Sequence, residues 1–390
     1  MHLVFATSLV PDGEPATGYE IANAVILDAL KRAGVRVTVL GFTWPGKQAA
    51  DPENTIVLGE LDVRTETASS LQKLKWLAKA VSEGLTFSSV KLRAAPLQAI
   101  RQELAKIGPF DGFVINAVQF AGAFEALFDK PSIFVAHNVE FRSAEENAAA
   151  ADSAFQRSLY LREARLLKGL EARLCRKARF VFTLAEGDRV ALRVEGDTRS
   201  AVLPLVTRTA PPSAPSPRAI ECDAALIGTW TWQPNRIGLD WFLGAVVPYL
   251  PKSFRIRIAG RVPAGVTSDH PGVEFVGRVP DANEFVRGGA VVPLISRAGT
   301  GVQLKTIETF ENGLPSVATT RSLRGIEYKP ENCTVTDDPQ EFAEALVRYA
   351  SERVADVDGR AFHHAQIEAL DRQIRKGLDA LGFQAEKAYA

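Results

Sequence analysis

The stretch Arg297-Ala-Gly-Thr-Gly-Val-Gln-Leu-Lys305-Thr-Ile-Glu308-Thr-Phe-Glu-Asn-Gly-Leu-Pro315 decides how this chain is read. Just before it, Ala290-Val-Val-Pro-Leu-Ile295 is a short apolar run that reads as a buried strand. The order is therefore strand, glycine-flanked turn, short helix, with a Gly-x-Pro stop. Such a turn places backbone N–H groups and the positive end of a helix dipole at a sheet edge, which suits a phosphate. Lys305, Glu308 and Asn312 share one helix face by their spacing, while Leu304, Ile307 and Phe310 are expected to turn toward a core. That face combines a cation for phosphate with a carboxylate able to accept from two hydroxyls. A nucleotide diphosphate offers both groups.

Outward from this motif, short β-rich runs alternate with helical patterns. Leu3–Leu9, Val35–Leu40, Gly112–Asn116, Ser132–Ala136 and Phe180–Leu184 read as strands. Tyr19–Ala33, Leu71–Glu83, Ala95–Ile107 and a long polar run from about Ala150 to Ala178 read as helices. A proline-rich stretch, Pro204–Pro217, follows and reads as an extended linker. The alternation then restarts. Cys222–Ile227, Phe254–Ala259, Val273–Val276, Val291–Ile295 and Ser316–Ala318 are the expected strands, with helices over Asn235–Leu250 and Ala282–Arg287. From about Gln340 the chain reads as charged and helical. The expected fold class is α/β, with two doubly wound, Rossmann-like domains facing a central cleft. The expected divisions are residues 1–205, a linker at 206–218, and 219–371. The C-terminal helix, 372–390, is expected to return to the first domain.

The 390 residues exceed one ordinary core and fit two domains. Charge balances at 46 basic against 46 acidic residues, so no global basic field recruits nucleic acid. Cys175, Cys222 and Cys333 are far apart and odd in number; they fit no disulfide framework, and a reducing, cytoplasmic setting is expected. The five histidines include no metal-ligand spacing, and no bound metal or cofactor is expected. No apolar run reaches the length of a membrane span. The N-terminal Met1–Val10 reads as a first buried strand rather than a leader. The stretch Gln72–Ala80 carries Lys73, Lys75, Trp76 and Lys79. It reads first as a solvated helix face and second as a contact for anionic lipid head groups or a lipid-linked acceptor.

Chemistry-bearing residues gather at expected strand ends. His137 and Asn138 follow the strand Ser132–Ala136, where an imidazole can hydrogen-bond a substrate hydroxyl or a developing charge. Asn116 ends a neighbouring strand, and Asn116 and Asn138 are the candidate acceptor contacts. Gly18 opens the first helix after a long loop, a second candidate anion site. Arg261 directly follows Ile256-Arg-Ile-Ala-Gly260.

In their order along the chain, these segments resemble the GT-B glycosyltransferases of the family 4 type, retaining enzymes of bacterial polysaccharide assembly. The resemblance is carried by the loop around Gly18, by His137-Asn-Val-Glu140, and by Tyr160–Glu171 with Arg173 and Cys175. It continues through Thr183-Leu-Ala-Glu-Gly-Asp188, Ile227-Gly-Thr-Trp-Thr-Trp-Gln-Pro-Asn235, Val276-Gly-Arg-Val279 and the opening motif. It implies a nucleoside-diphosphate sugar held by the second domain and used as co-substrate. Glu308 would bind the ribose. Gly299, Thr300 and Gly301 would offer amides to the sugar and diphosphate, beside Lys305. Arg278 and Val279 would flank the base, Gly18 would meet the diphosphate, and His137 would lie beside the sugar. His137, Lys305 and Glu308 are thus the expected catalytic group. Two departures from the family pattern stand out. Thr300 occupies the place of a frequent glutamate. Thr229-Trp230 and Asn235-Arg236 occupy the places of a frequent Arg and Lys, leaving Lys305, Arg236 and Arg261 as candidate diphosphate cations.

The implied reaction is glycosyl transfer to a hydroxyl of a glycan or lipid-linked acceptor, with retention and without a metal. A nucleotide-sugar epimerase and a catalytically silent nucleotide-sugar-binding partner are the alternatives. Neither half shows GxGxxG after its first strand, which argues against an NAD dehydrogenase.

Overall fold

Strand–helix alternation does fold here into wholly parallel sheets. The computed structural model describes residues 1–64 and 68–383. Contacts divide the chain into two units, Met1–Pro204 with Glu368–Ala390, and Leu205–Ile367. Residues 384–390 of the expected C-terminal return lie outside the described residues.

The first unit runs β1 (His2–Leu9), α1 (Gly18–Arg32), β2 (Arg36–Thr43), β3 (Thr55–Glu60), α2 (Ser70–Ser82), α3 (Phe87–Lys91), α4 (Leu97–Lys106) and β4 (Gly112–Asn116). It continues through α5 (Val118–Ala123), β5 (Ser132–Ala136), α6 (Glu140–Ala149), α7 (Ala154–Lys177), β6 (Phe180–Thr183), α8 (Glu186–Leu192) and β7 (Ser200–Val202). Its seven strands lie in the order β3-β2-β1-β4-β5-β6-β7. The order reverses beside β1, which pairs with β2 on one side and β4 on the other. Every residue of β1, β4, β5 and β6 is buried. Helices on both faces of a parallel sheet require such near-continuous apolar strands. Val4, Phe113 and Phe134 from the sheet join Phe120, Leu170 and Leu174 from the helices in one core.

The second unit contains β8 (Cys222–Ile227), α9 (Gln233–Trp241), β9 (Ile256–Ala259), β10 (Val273–Gly277), α10 (Ala282–Arg287) and β11 (Gly289–Leu294). Then come α11 (Leu304–Glu311), β12 (Ser316–Ala318), β13 (Cys333–Val335), α12 (Pro339–Glu352) and α13 (Gly359–Ala380). The sheet order is β10-β9-β8-β11-β12-β13, with the reversal between β8 and β11. Ile256, Ile258 and Val291 pack with Phe242, Phe342 and Leu346. The last part of α13 belongs to the first unit, where Gly377 leaves room for the Phe182 ring and Arg32 pairs with Asp371 at 2.7 Å.

Two elements differ from the sequence reading. The long helix expected from about Ala150 to Ala178 is α7, which starts only at Ala154, where Ser153 caps it by accepting from the Gln156 N–H; the separate helix α6 before it was not read from the sequence. The helix expected over Asn235–Leu250 holds α-geometry only to Trp241. It then widens into a π-turn over Phe242–Val246 and tightens into a 3-10 turn at Val247–Tyr249, where Pro248 has no N–H to continue the ladder. The proline-rich stretch, expected as an extended linker, is in addition tied to the second unit. Thr207 N–H donates to Glu311 at 2.9 Å, and Arg218 pairs with Asp356 at 2.8 Å.

Candidate functional site

Parallel strands bring all their carboxyl ends to one edge, and a pocket opens where the strand order reverses. In the second unit that place lies between β8 and β11. Leu226 and Ile227 from the end of β8, and Val292–Leu294 of β11 with Ile295 and Ser296 just after it, line the pocket, with Asn283 and Val286 from α10. Lys305, Glu308 and Asn312 of α11 complete it, together with Trp230 and Asn235.

α11 opens with Gln303 as its N-cap and without a side-chain cap, so its first-turn N–H groups are left to other partners. It closes on Gly313 (φ 67°), whose left-handed conformation lets Leu314 N–H reach Thr309 O at 3.0 Å. Ile307 and Phe310 are fully buried behind it, while Leu304 is half-buried. Glu311, also buried, accepts from Thr207 N–H and from the Thr207 hydroxyl and forms an ion pair with Arg208. Asn312 is already committed, donating to Asn283 at 2.8 Å and accepting from Arg208 at 3.3 Å. Lys305 and Glu308 differ from it. Among the described residues neither side chain has a hydrogen-bond or ion-pair partner. Burial pushes the Lys305 ammonium down to about 8, against the pull of Glu308. Burial raises the Glu308 carboxyl, with Arg208 opposing and Glu311 adding to the rise. An unpaired cation and an unpaired carboxylate, held three residues apart in a pocket, are suited to a ligand carrying both anionic and hydroxyl groups.

The turn before α11 is braced by two arginines that nothing local in the sequence marks. Arg321 donates to Gly299 O at 2.9 Å, and Arg324 donates to Gly301 O at 3.1 Å and Ala298 O at 3.1 Å. Both glycines have positive φ, 90° and 73°. Carbonyls drawn to the arginines fix the path of the turn through Thr300. Gly228, after β8, is a second unmarked determinant. A Cβ there would lie 2.9 Å from Lys305 Nζ and 2.9 Å from the Trp230 ring. The indole is fixed by its own N–H, which donates to Ala259 O at 2.8 Å.

The other candidate cations separate. Arg236 is spent on Asp240 at 2.6 Å along α9, and Arg297 pairs with Asp337 at 3.0 Å. Arg261 and Arg278 are exposed beyond the ends of β9 and β10, at the same sheet edge as the pocket, with no ion pair among the described residues; Val279 beside them is half-buried.

In the first unit, Gly18 begins α1, but a carboxylate already sits there. Glu20 accepts from the Ala16 and Thr17 N–H groups at 3.0 and 2.8 Å and from Trp44 at 2.6 Å, in a capping box with Thr17. An incoming phosphate at Gly18 would meet that charge. His137 ends β5, buried, with Nε2 2.8 Å from Asn116 Oδ1; burial lowers its pKa to about 4, so it is neutral at pH 7. Asn116 is fully buried and bonded to Asn23. Asn138 hydrogen-bonds Glu140. Behind them Glu171, on α7, accepts from Glu140 N–H at 2.8 Å and Phe141 N–H at 3.1 Å, so a buried carboxyl group caps α6.

Residues 222–352 match the family model described as glycosyl transferases group 1. HepE from Anabaena, solved in complex with UDP, superposes at a TM-score of 0.57 with 16% identity, covering 97% of this chain and 100% of that one. The same protein with UDP-glucose gives 0.56 at 14% identity, with 97% and 100% covered. TarM gives 0.61 at 11% identity, with 98% and 99% covered. A sequence search of curated proteins finds no match. The chain thus has the GT-B fold, two Rossmann-like units of parallel sheet. More particularly, the match to the glycosyl transferases group 1 model falls within its second unit, and the pocket of Lys305 and Glu308 lies within the matched residues.

Proposed function

We propose that this protein is a nucleotide-sugar-dependent glycosyltransferase. It would move a sugar from a nucleoside-diphosphate donor to a hydroxyl of a glycan or lipid-linked acceptor, with retention, in surface polysaccharide biosynthesis. The observation that carries the proposal is the unpartnered Lys305–Glu308 pair at the reversal point of the second sheet, within the residues that match the group 1 model. HepE, with the same fold, was solved with UDP and with UDP-glucose, which makes a uridine donor the first to test.

In this reading Glu308 accepts from the ribose hydroxyls. Lys305 and the α11 N-terminus stabilise the diphosphate as it leaves, with no metal required. Gly299, Thr300 and Gly301 lead the chain past the sugar, and Arg278 and Val279 flank the base. Arg261, exposed at the same sheet edge, is the second diphosphate cation. The first unit takes the acceptor, with His137 beside the reacting sugar. The acceptor hydroxyl attacks on the face the phosphate vacates, and a leaving phosphate oxygen takes its proton. No carboxylate pair is needed, so the rate depends on positioning and charge stabilisation.

The protein would work in the cytoplasm. No helix among the described residues is long and apolar enough to cross a membrane. Contact with the membrane surface would run through α2, where Leu71, Leu74 and Val81 are 63%, 62% and 56% exposed beside Lys75 and Lys79. The test is release of nucleoside diphosphate by purified protein from a panel of nucleotide sugars and acceptors. Binding of a nucleotide sugar without release would instead support the silent partner, and a changed sugar without acceptor the epimerase.

A further inference from the structure

A buried chain of polar groups runs through the first unit from β1 to His137, and each link leaves the next one orientation. It starts at the Leu9 carbonyl, which can only accept. Asn23 Nδ2 lies 3.3 Å from that oxygen and 3.1 Å from Thr7 Oγ1. The Thr7 hydroxyl accepts from Asn23 and shares a hydrogen bond with the Tyr19 hydroxyl at 2.7 Å, while Leu9 O, which cannot donate, fixes the Asn23 amide with its nitrogen on this side. Asn23 therefore turns its oxygen toward Asn116 and accepts from Asn116 Nδ2. That leaves Asn116 Oδ1 facing His137 Nε2 at 2.8 Å, and an amide oxygen can only accept. The proton of the neutral imidazole must then sit on Nε2. Tyr19 packs against the ring at 5.1 Å between centroids and helps hold its plane. Nδ1, the other nitrogen, has no hydrogen-bond partner among the described residues.

We infer that Asn23 and Asn116 are positioning residues that lock His137 in the Nε2–H tautomer, so that it presents Nδ1 as an acceptor to a substrate hydroxyl. His137 thus receives a hydrogen bond from the substrate and cannot donate one to it. The local sequence permits either direction, because neither Asn23 nor Asn116 lies near His137 in the chain. The functional half of the inference rests on the glycosyltransferase reading; the tautomer does not.

Two-bond proton–nitrogen spectra of the full-length, nitrogen-15-labelled protein at pH 7 test the lock directly, with His137→Gln assigning the signal among the five histidines. The expected pattern is a protonated Nε2 and an unprotonated Nδ1. An Nδ1–H tautomer, or an imidazolium, would overturn the inference whatever the protein's activity. In Asn116→Asp the acceptor becomes charged, and the His137 titration should move up by about one unit or more. An unmoved midpoint in a folded variant would remove Asn116 from the chain. For the substrate half, His137→Gln keeps a group near the Nε2 position and loses Nδ1. It should lower kcat/KM about tenfold or more with the melting temperature nearly unchanged. Unchanged kinetics would overturn the acceptor role while leaving the tautomer to stand on the spectra.

Discussion

The Lys305 ammonium rests over the Trp230 ring, 5.2 Å from its centre, in a pocket where no carboxylate of the described residues pairs with it. The ring faces the cation with its negative quadrupole but cannot neutralise it. Burial correspondingly holds its pKa near 8. A lysine so placed is ready to gain an anionic ligand, and its titration should report that event.

Below pH 8 Lys305 is charged and above it the charge is lost, so nucleoside diphosphate affinity should weaken as pH rises from 7 to 9. A bound diphosphate favours the charged form and raises the pKa, so binding at pH 8 should take up about half a proton. Calorimetry in two buffers of different ionisation enthalpy measures this. In Lys305→Met both the uptake and the pH dependence should vanish; their persistence would assign them to another group.

Gly228→Ala and Gly260→Ala should separate site from scaffold. A Cβ at 228 meets both the flexible end of Lys305 and the fixed Trp230 ring, so diphosphate affinity should fall several-fold together with about 1–3 kcal/mol of stability, whereas Gly260 does not touch the pocket. Gly260 has φ 103°, and its Cβ would run into the Gly228 carbonyl. That variant should lose about 2–3 kcal/mol of stability in denaturant titrations.

Arg324→Met should loosen the glycine turn without touching the pocket's apolar wall. The lost bonds to Gly301 and Ala298 cost about 1–3 kcal/mol. Diphosphate affinity should drop with the melting temperature, and Arg324→Lys should restore only part of either.

Glu171 carries a pH signature of its own. Burial raises its pKa to about 8, against 4.5 for an ordinary glutamate. Between those values the folded protein keeps a proton that the unfolded chain has released, so stability should decline as pH rises from 4.5 to 8. Glu171→Gln cannot ionise, and its melting temperature should fall less over that range. Parallel curves would show that Glu171 is ionised in the fold.

The strands β4, β5, β8 and β12 coincide with the residues read from sequence, because central parallel strands must be continuously apolar and are cut sharply by glycine, proline or polar residues. The edge strands β3 and β7 escaped that reading. β3 is half-exposed and β7 has three residues, so neither has the apolar run that marks a central strand. In the site, helical spacing was enough to put Lys305 and Glu308 on one face, and both line the pocket. The commitment of Asn312 to Asn283, the pairing of Arg236 with Asp240 and the bracing by Arg321 and Arg324 were not legible. Each depends on which side chain arrives first at a polar group, and only the folded chain decides that.

The central claim is that the pocket beside α11 holds a nucleoside diphosphate, with Glu308 on the ribose. The direct measurement is calorimetric titration of UDP, GDP, ADP and dTDP into the wild-type protein and Glu308→Ala. The account predicts that one of the four binds the wild type, and binds Glu308→Ala about tenfold or more weakly at an unchanged melting temperature. Equal affinity in the two proteins, or no binding of any of the four to the wild type, would contradict it.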